Sequence, residues 1–390
     1  MKVLLINTID TGGAAIAAIR LHNLLLKKGI ESRMLFLRRS GRKDLDQAYY
    51  FEDIYQQFAF KALDKINTAY NRRLSFRHPS VYFNGPDSIF DLSKHPLFAW
   101  AEVVHFHWVV KFIDWQSVFA HKHKHFLWTL HDMNPFAGGE HYLTGYKDEF
   151  KWVAKRNIKK KKKSIKGSDL NIITPSHWLG ELAKSSEVFN DLPVNTIRNP
   201  IDMSIFKPMD KMELKIEFGL PTDKKTILFV AENPHDERKG FALLKSALQK
   251  IDATKYHLAV IGKKDHVENE FPSATFFGSI QEEHKLAKLY NAADCFVIPS
   301  LEDNLPNTVS EALSCGTPVC GFAIGGIKEM VSNGINGFLA NDFNELNTAL
   351  VQTLDCAFDS VKIRAKAMDA LDEQMLFDQF MKLYLSKPQN

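Results

Sequence analysis

Cysteine is scarce in this chain of 390 residues: the four, Cys295, Cys315, Cys320 and Cys356, all fall in the last quarter, and no two stand in a CxxC spacing. That excludes a disulfide-built scaffold and a cysteine zinc module, and it suits reduced, mostly buried thiols in a cytosolic protein. A long apolar run is also missing. The longest stretch without Asp, Glu, Lys or Arg is 312–327, which holds Pro318 and four glycines and falls short of the ~20 residues that span a bilayer. No transmembrane helix is expected. The first apolar run, 3–6, is too short for a signal peptide and Asp10 follows at once, so no export is expected. With 45% hydrophobic and 25% charged residues, the composition leaves no room for a fibrous, mucin-like or wholly disordered chain.

What is present reads as two domains, the prior for this length at ~100 to 200 residues each. The formal charge of +4 is small but unevenly laid out. Residues 151–167, KWVAKRNIKKKKKSIKG, carry nine basic side chains and no acid, leaving 41 basic against 46 acidic residues elsewhere, a balance of −5. A nucleic-acid reader spreads basic and aromatic residues over a whole face, so nucleic acid is not expected. Lys159, Lys160, Lys161, Lys162 and Lys163 are candidates for contact with an anionic membrane surface or an acceptor. The alternative is a solvated lysine-rich helix face.

Apolar β-branched and aromatic runs at 3–6, 34–37, 103–106, 126–129 and 171–174 look like buried parallel strands, with a helix over 14–28 stopped by Gly29. The pattern repeats at 226–230, 258–261, 274–277, 295–299 and 319–322, with helical segments near 240–250, 281–292 and 307–315. The expected fold is α/β, two doubly wound Rossmann-like domains facing across a cleft. The boundaries are 1–203 for the first domain, 204–222 for a proline-broken linker, 223–372 for the second domain, and 373–390 for a helix returning to the first domain. Ligands of such folds sit at the carboxyl ends of the strands. Residues 49–100 resist the scheme: many aromatics among Arg72, Arg73, Arg77 and His78 suit either a covering helix or an interfacial segment.

The post-strand loops carry the chemistry. Gly12 and Gly13 lead into a helix, where amides can hold an anion, though a glycine pair is also a common tight turn. His131, followed by Asp132, ends a strand. His105 with His107, and His121, His123 and His125, alternate as shared strand faces do, but no carboxylate or cysteine spacing accompanies them and they are expected to be structural. Arg238 and Lys239 stand where the chain turns from a strand into a helix and can stabilise the charge on a departing pyrophosphate. Asp303 in a loop and Glu311, eight residues on and inside a helix, can accept hydrogen bonds from vicinal hydroxyls.

The segment 299–340, PSLEDNLPNTVSEALSCGTPVCGFAIGGIKEMVSNGINGFLA, resembles the donor-site block of the retaining glycosyltransferases of family 4, which have the GT-B fold. TLHDMNPFAGGEHY, RNPIDMSIFKP and ERKGFALL support it, and the resemblance implies that 1–203 is the acceptor-binding domain and 223–372 the nucleotide-sugar-binding domain. The resemblance implies that Glu311 binds the nucleotide ribose and that Lys239 with Arg238 binds the diphosphate. It also implies that Asp303 and the Asn304 and Leu305 amides contact the transferred sugar, that His131 touches it from the other side, and that Gly12 and Gly13 approach the phosphates or acceptor. The family commonly has Glu at 303, Gly at 306 and Arg near 232, where this chain has Asp303, Pro306 and Glu232; Arg238 is expected to replace the missing arginine.

The expected function is therefore a cytoplasmic hexosyltransferase, held in part on the inner face of the membrane. It would move a sugar from a UDP- or GDP-linked donor to a glycan or lipid-linked acceptor in cell-surface polysaccharide synthesis, with no cofactor and no metal. His131, Lys239 and Asp303 are the expected catalytic residues. A nucleotide-sugar epimerase of the same architecture and an inactive glycan-binding relative are the alternatives.

Overall fold

The computed structural model describes residues 1–42, 45–74, 83–144, 151–233, 236–263, 271 and 274–386, with backbone alone at 72–74. Phe76, Arg77 and His78 lie outside the described residues. The chain forms two compact units, Met1–Pro200 with Glu373–Asn390, and Ile201–Asp372.

The first unit is built on seven parallel strands: β1 (Lys2–Ile9), β2 (Glu31–Arg38), β3 (Ala48–Tyr50), β4 (Val103–Phe106), β5 (His125–Thr129), β6 (Asp169–Thr174) and β7 (Val194–Thr196). Their order in the sheet is β3-β2-β1-β4-β5-β6-β7, and every pairing is parallel. Val3, Leu4, Leu5 and Ile6 are all buried, as a central strand covered on both faces requires. The helices are α1 (Gly13–Lys27), α2 (Gln57–Leu74), α3 (Pro96–Trp100), α4 (Trp115–Phe119), α5 (Lys151–Ile165) and α6 (His177–Ser185). Gly12 caps α1 at φ +87°, in the left-handed region that glycine tolerates best. In the region 49–100, Tyr49 and Tyr50 join β3, and α2 is a covering helix that turns Phe60, Asn67 and Asn71 inward and leaves Phe58, Ile66 and Tyr70 exposed.

The second unit repeats the plan with β8 (Lys225–Val230), β9 (Tyr256–Ile261), β10 (Thr275–Phe276), β11 (Cys295–Ile298), β12 (Val319–Phe322) and β13 (Gly337–Ala340), ordered β10-β9-β8-β11-β12-β13 and all parallel. Around it lie α7 (Lys211–Glu217), α8 (Phe241–Leu248), α9 (Glu283–Ala292), α10 (Asn307–Ser314), α11 (Leu346–Asp355) and α12 (Ser360–Leu371). Residues 204–222, which their prolines suggest is a linker, pack inside this unit. Phe206, Leu214 and Leu220 are buried in its core, and Arg364 ties the carbonyls of Met203, Phe206 and Ser314 together at 2.6–2.9 Å. The last helix, α13 (Glu373–Tyr384), belongs to the first unit, where Leu376, Phe380 and Tyr384 join the core beside Val103 and Leu127.

Both sheets reverse their winding direction once, between β1 and β4 in the first unit and between β8 and β11 in the second. Loops leaving the carboxyl ends of those neighbouring strands diverge and open the crevice where doubly wound folds hold ligands.

Candidate active site

In the second unit the switch point brings two loops together. After β8 the chain makes a short 3-10 turn, Glu237–Lys239, capped by Asp236, whose carboxylate accepts from the Arg238 amide at 3.0 Å. Gly240 then takes φ +67°, and a Cβ there would overlap the Pro299 carbonyl oxygen at the end of β11. Only glycine lets these two loops approach so closely. The Leu301 amide donates to the Arg238 carbonyl at 2.8 Å, which locks them in register.

Across that contact Lys239 Nζ donates to Asp303 Oδ2 at 2.7 Å, and Arg238 Nη1 lies 3.6 Å from the same oxygen while donating to the Glu302 carbonyl at 3.0 Å. Asp303 is buried. Burial alone would raise its pKa, but attraction to Lys239 and Arg238 outweighs that cost and holds the carboxyl below the ordinary carboxylate value. It is therefore an ionised acceptor at neutral pH. The Gly326 amide of the pair following β12 donates to the Asp303 carbonyl at 3.4 Å, so the third loop is stitched to the same place. Asn304 and Leu305 are buried beside it.

Glu311 sits in α10, buried, and accepts a hydrogen bond from the Tyr290 hydroxyl at 3.0 Å. Tyr290 is itself enclosed in the core; nothing in its sequence surroundings singles it out. Arg238, Lys239 and Asp303 thus form one cluster, while Glu311 is held separately within the unit.

In the first unit the loops after β4 and β5 meet. His107 Nδ1 and His131 Nε2 are 3.0 Å apart, with the rings stacked at 5.3 Å. His105 also stacks on His107, at 4.6 Å, and has both nitrogens engaged, by the Tyr384 hydroxyl and the Thr129 hydroxyl, each at 2.8 Å. Burial pushes His105 down to about 3 and His131 to about 4, the latter against the pull of Asp132; His107 falls well below the ordinary histidine value. All three are neutral at pH 7. Asp132 is committed elsewhere: it accepts from His141 Nδ1 at 2.6 Å, Trp108 Nε1 at 3.0 Å and the Asn134 amide at 2.9 Å. His107, Trp108, His131 and Asp132 line one hollow. His125 is structural, bridging Asp169 and the Leu383 carbonyl. Among the described residues no group of three or more His, Cys, Asp or Glu side chains is placed to hold a metal.

Gly12 and Gly13 open α1 as expected, beside a buried Asp10 that accepts from the Ser40 amide at 2.8 Å and the Tyr50 hydroxyl at 3.2 Å.

The lysine run requires a correction. α5 buries the stripe Val153, Ala154, Asn157, Lys161 and Ile165, the three-to-four-residue spacing of an inward helix face. Lys161 is therefore withdrawn from any surface patch. Its ammonium donates to the carbonyls of Asn134 and Ala137 and lies 5.4 Å from the Trp115 ring centre. Lys160 is paired with Asp87. Lys159, Lys162 and Lys163 are exposed; Trp152 at the start of the helix has 63% of its surface open. No helix among the described residues is long and apolar enough to cross a membrane.

Comparison with known proteins places the second unit. Residues 224–356 match the family model described as glycosyl transferases group 1. The D-inositol 3-phosphate glycosyltransferase of Mycolicibacterium smegmatis is 26% identical over 175 residues, 42% of this chain and 40% of that protein; the Frankia alni protein of the same name is 28% identical over 163 residues, 37% of this chain and 40% of that protein. The chain thus aligns with well under half the length of these relatives. Among solved structures, sucrose-phosphate synthase from Thermosynechococcus elongatus superposes with a TM-score of 0.70 at 18% identity, and Anabaena HepE in complex with UDP-glucose with 0.67 at 15%, each over 98% of both chains. These likenesses fix the fold as GT-B, with two Rossmann-like domains. Through its second unit the chain is similar to the group 1 glycosyl transferases.

Proposed function

We propose that this chain is a retaining glycosyltransferase that moves a hexose from a UDP- or GDP-linked donor to a glycan or lipid-linked acceptor in the synthesis of a cell-surface polysaccharide. The observation that carries the reading is the Arg238, Lys239 and Asp303 cluster at the β8/β11 switch point, inside the segment that matches the family. As the bond from sugar carbon to diphosphate oxygen breaks, charge collects on the departing phosphate; two fixed cations stabilise it without a metal. Asp303, held ionised, accepts from the sugar hydroxyls and cannot serve as an acid. Glu311, its rotamer set by Tyr290, accepts from the ribose hydroxyls. In front-face attack the leaving phosphate takes the acceptor's proton, and retention follows because the acceptor enters on the side the phosphate leaves.

Calorimetry with UDP and GDP tests the donor site. Lys239→Ala or Glu311→Ala is expected to weaken the preferred nucleotide by about tenfold or more, about 1.4 kcal/mol; unchanged affinity overturns the reading. Conversion of a nucleotide sugar to its epimer without acceptor would replace it with an isomerase. Lys159, Lys162 and Lys163, with Trp152 on the same helix, suit an anionic membrane surface at ~1 kcal/mol per basic residue. The full chain is expected to float with vesicles of anionic lipid at low salt and to lose them at about 0.5 M salt, where the Debye length is on the order of 4 Å. No flotation at low salt removes the membrane from the proposal.

A further inference from the structure

We propose that the hollow at the amino edge of the second unit's sheet binds a small, soluble, phosphate-bearing anion, at a site separate from the Arg238, Lys239 and Asp303 cluster. The inference does not rest on the proposed reaction.

The hollow lies where β8 and β9 begin and just before β11, with α7 along one side. Lys225 and Tyr256 open those two strands, whereas Arg238 and Lys239 follow the other end of β8. Six residues of strand at about 3.3 Å each put roughly 20 Å between the two ends, and every lining residue belongs to the segment Ile201–Asp372. Its volume, about 660 Å³, falls in the ~300 to 1,000 Å³ range of small-molecule sites. The apolar lining usual in such sites is missing. Met212 is the one large apolar side chain, and five lysines and four aspartates supply most of the rest, so the ligand that suits it is hydrophilic and charged.

The sign of that charge follows from which groups are already engaged. Lys215 is buried and donates to the Lys224 carbonyl at 2.8 Å and to Asp294 Oδ2 at 2.7 Å. Lys211 donates to Asp294 Oδ1 at 2.8 Å, and the Thr226 amide donates to Oδ2 at 2.8 Å. Two ammonium groups therefore share one carboxylate, which leaves a cationic surplus at the floor. An ammonium has three protons to give, and at the rim they are little used. Lys224 Nζ reaches the Ala253 carbonyl at 3.5 Å, and Lys255 Nζ stands 4.0 Å from Asp252. Three of the four aspartates are engaged: Asp294 by its three donors, Asp210 by the Glu213 amide at 2.8 Å, and Asp355 by Lys225, 3.7 Å away. The hydrogen-bonding capacity left over is thus mostly that of ammonium groups at Lys211, Lys224 and Lys255. A ligand with several anionic oxygens meets it, and a phosphate brings three such oxygens and close to two negative charges at pH 7.

Calorimetry of the full chain with inorganic pyrophosphate tests the site, with Lys239→Ala as the control for the donor crevice. Joint replacement, Lys224→Gln with Lys255→Gln, is expected to weaken pyrophosphate by about tenfold or more, while Lys239→Ala leaves a site of the original affinity in place. Unchanged affinity in the joint variant, loss in Lys239→Ala alone, or tighter binding of citrate than of pyrophosphate overturns the proposal. Asp223→Asn, which removes a lining carboxylate, should tighten pyrophosphate, and weaker binding there counts against the site. The unaltered protein gives a readout that no misfolded variant can spoil: acetylation by acetic anhydride, followed residue by residue in the mass spectrometer, should slow at Lys224 and Lys255 when pyrophosphate is added and stay constant at the exposed Lys362. Equal slowing at all three is a general salt effect and overturns the site. Protection by vesicles of phosphatidic acid with none by pyrophosphate assigns the hollow to a lipid surface and overturns it as well.

Discussion

Lys161 shows how one residue can carry a cost that the rest of the fold absorbs. Burial lowers its ammonium to about 7, against the upward pull of Glu140 and Asp132, whereas an unfolded lysine titrates at about 10.4. Between those values the unfolded chain holds one proton more than the folded chain, so stability rises with pH across that window and the penalty for charging the group is fully present below it. Lys161→Met is expected to remove about 2 kcal/mol of the stability gain between pH 7 and pH 9, measured by urea unfolding at several pH values. Parallel curves for the two proteins would refute this. The burial is legible in principle: the positions 153, 157, 161 and 165 follow helical spacing, but five consecutive lysines mask the one that turns inward. His107 and Tyr290 escape a reading of the sequence for a different reason. Each is paired with a residue distant in sequence, His131 and Glu311 respectively, and no local pattern announces such a pair.

At the scale of the element, the candidate site residues collect where a strand becomes a turn and then a helix. Gly240 is the narrowest of these points. A side chain there meets both a left-handed backbone and the Pro299 carbonyl, so Gly240→Ala should cost about 2 kcal/mol or more and separate the Arg238 loop from Asp303. A melting temperature within a degree or two of the unaltered protein would contradict the packing described. The long buried strands and the glycine-led turns are readable because apolar runs and turn residues are local signals. The edge strands β3 and β7, three residues each, and β13, preceded by Asn336 and begun by Gly337 at φ +154°, are too short or too irregular to stand out, and exist because a neighbouring strand offers them a ladder.

For the whole molecule, the consequence of topology is that the units are unequal in chain continuity. Ile201–Asp372 is one uninterrupted segment, whereas the first unit draws Leu376, Phe380 and Tyr384 from beyond it. Residues 201–372 expressed alone are expected to give a cooperative thermal transition and dispersed NMR amide signals. Residues 1–200 alone should not, because β4 and β5 lose their cover and His105 loses the Tyr384 hydroxyl. A cooperative transition for residues 1–200, which lack α13, would show that helix to be dispensable. The doubly wound plan is legible in the spacing of the apolar runs. That 204–222 belongs to the second unit is hidden by Pro208 and Pro221, which look like breaks between domains, while the anchor, Phe206, is a single aromatic with no periodic partner beside it.

The C-terminal closure of the first unit also sets an order of events on the ribosome. The polypeptide emerges at about 5 to 20 residues per second, so the His105 side of the sheet waits some ~10 to 40 seconds between completion of β7 and arrival of Tyr384. During that interval Leu127 and Val103 lack the cover that Leu376, Phe380 and Tyr384 provide, while the later-made unit already has its whole chain.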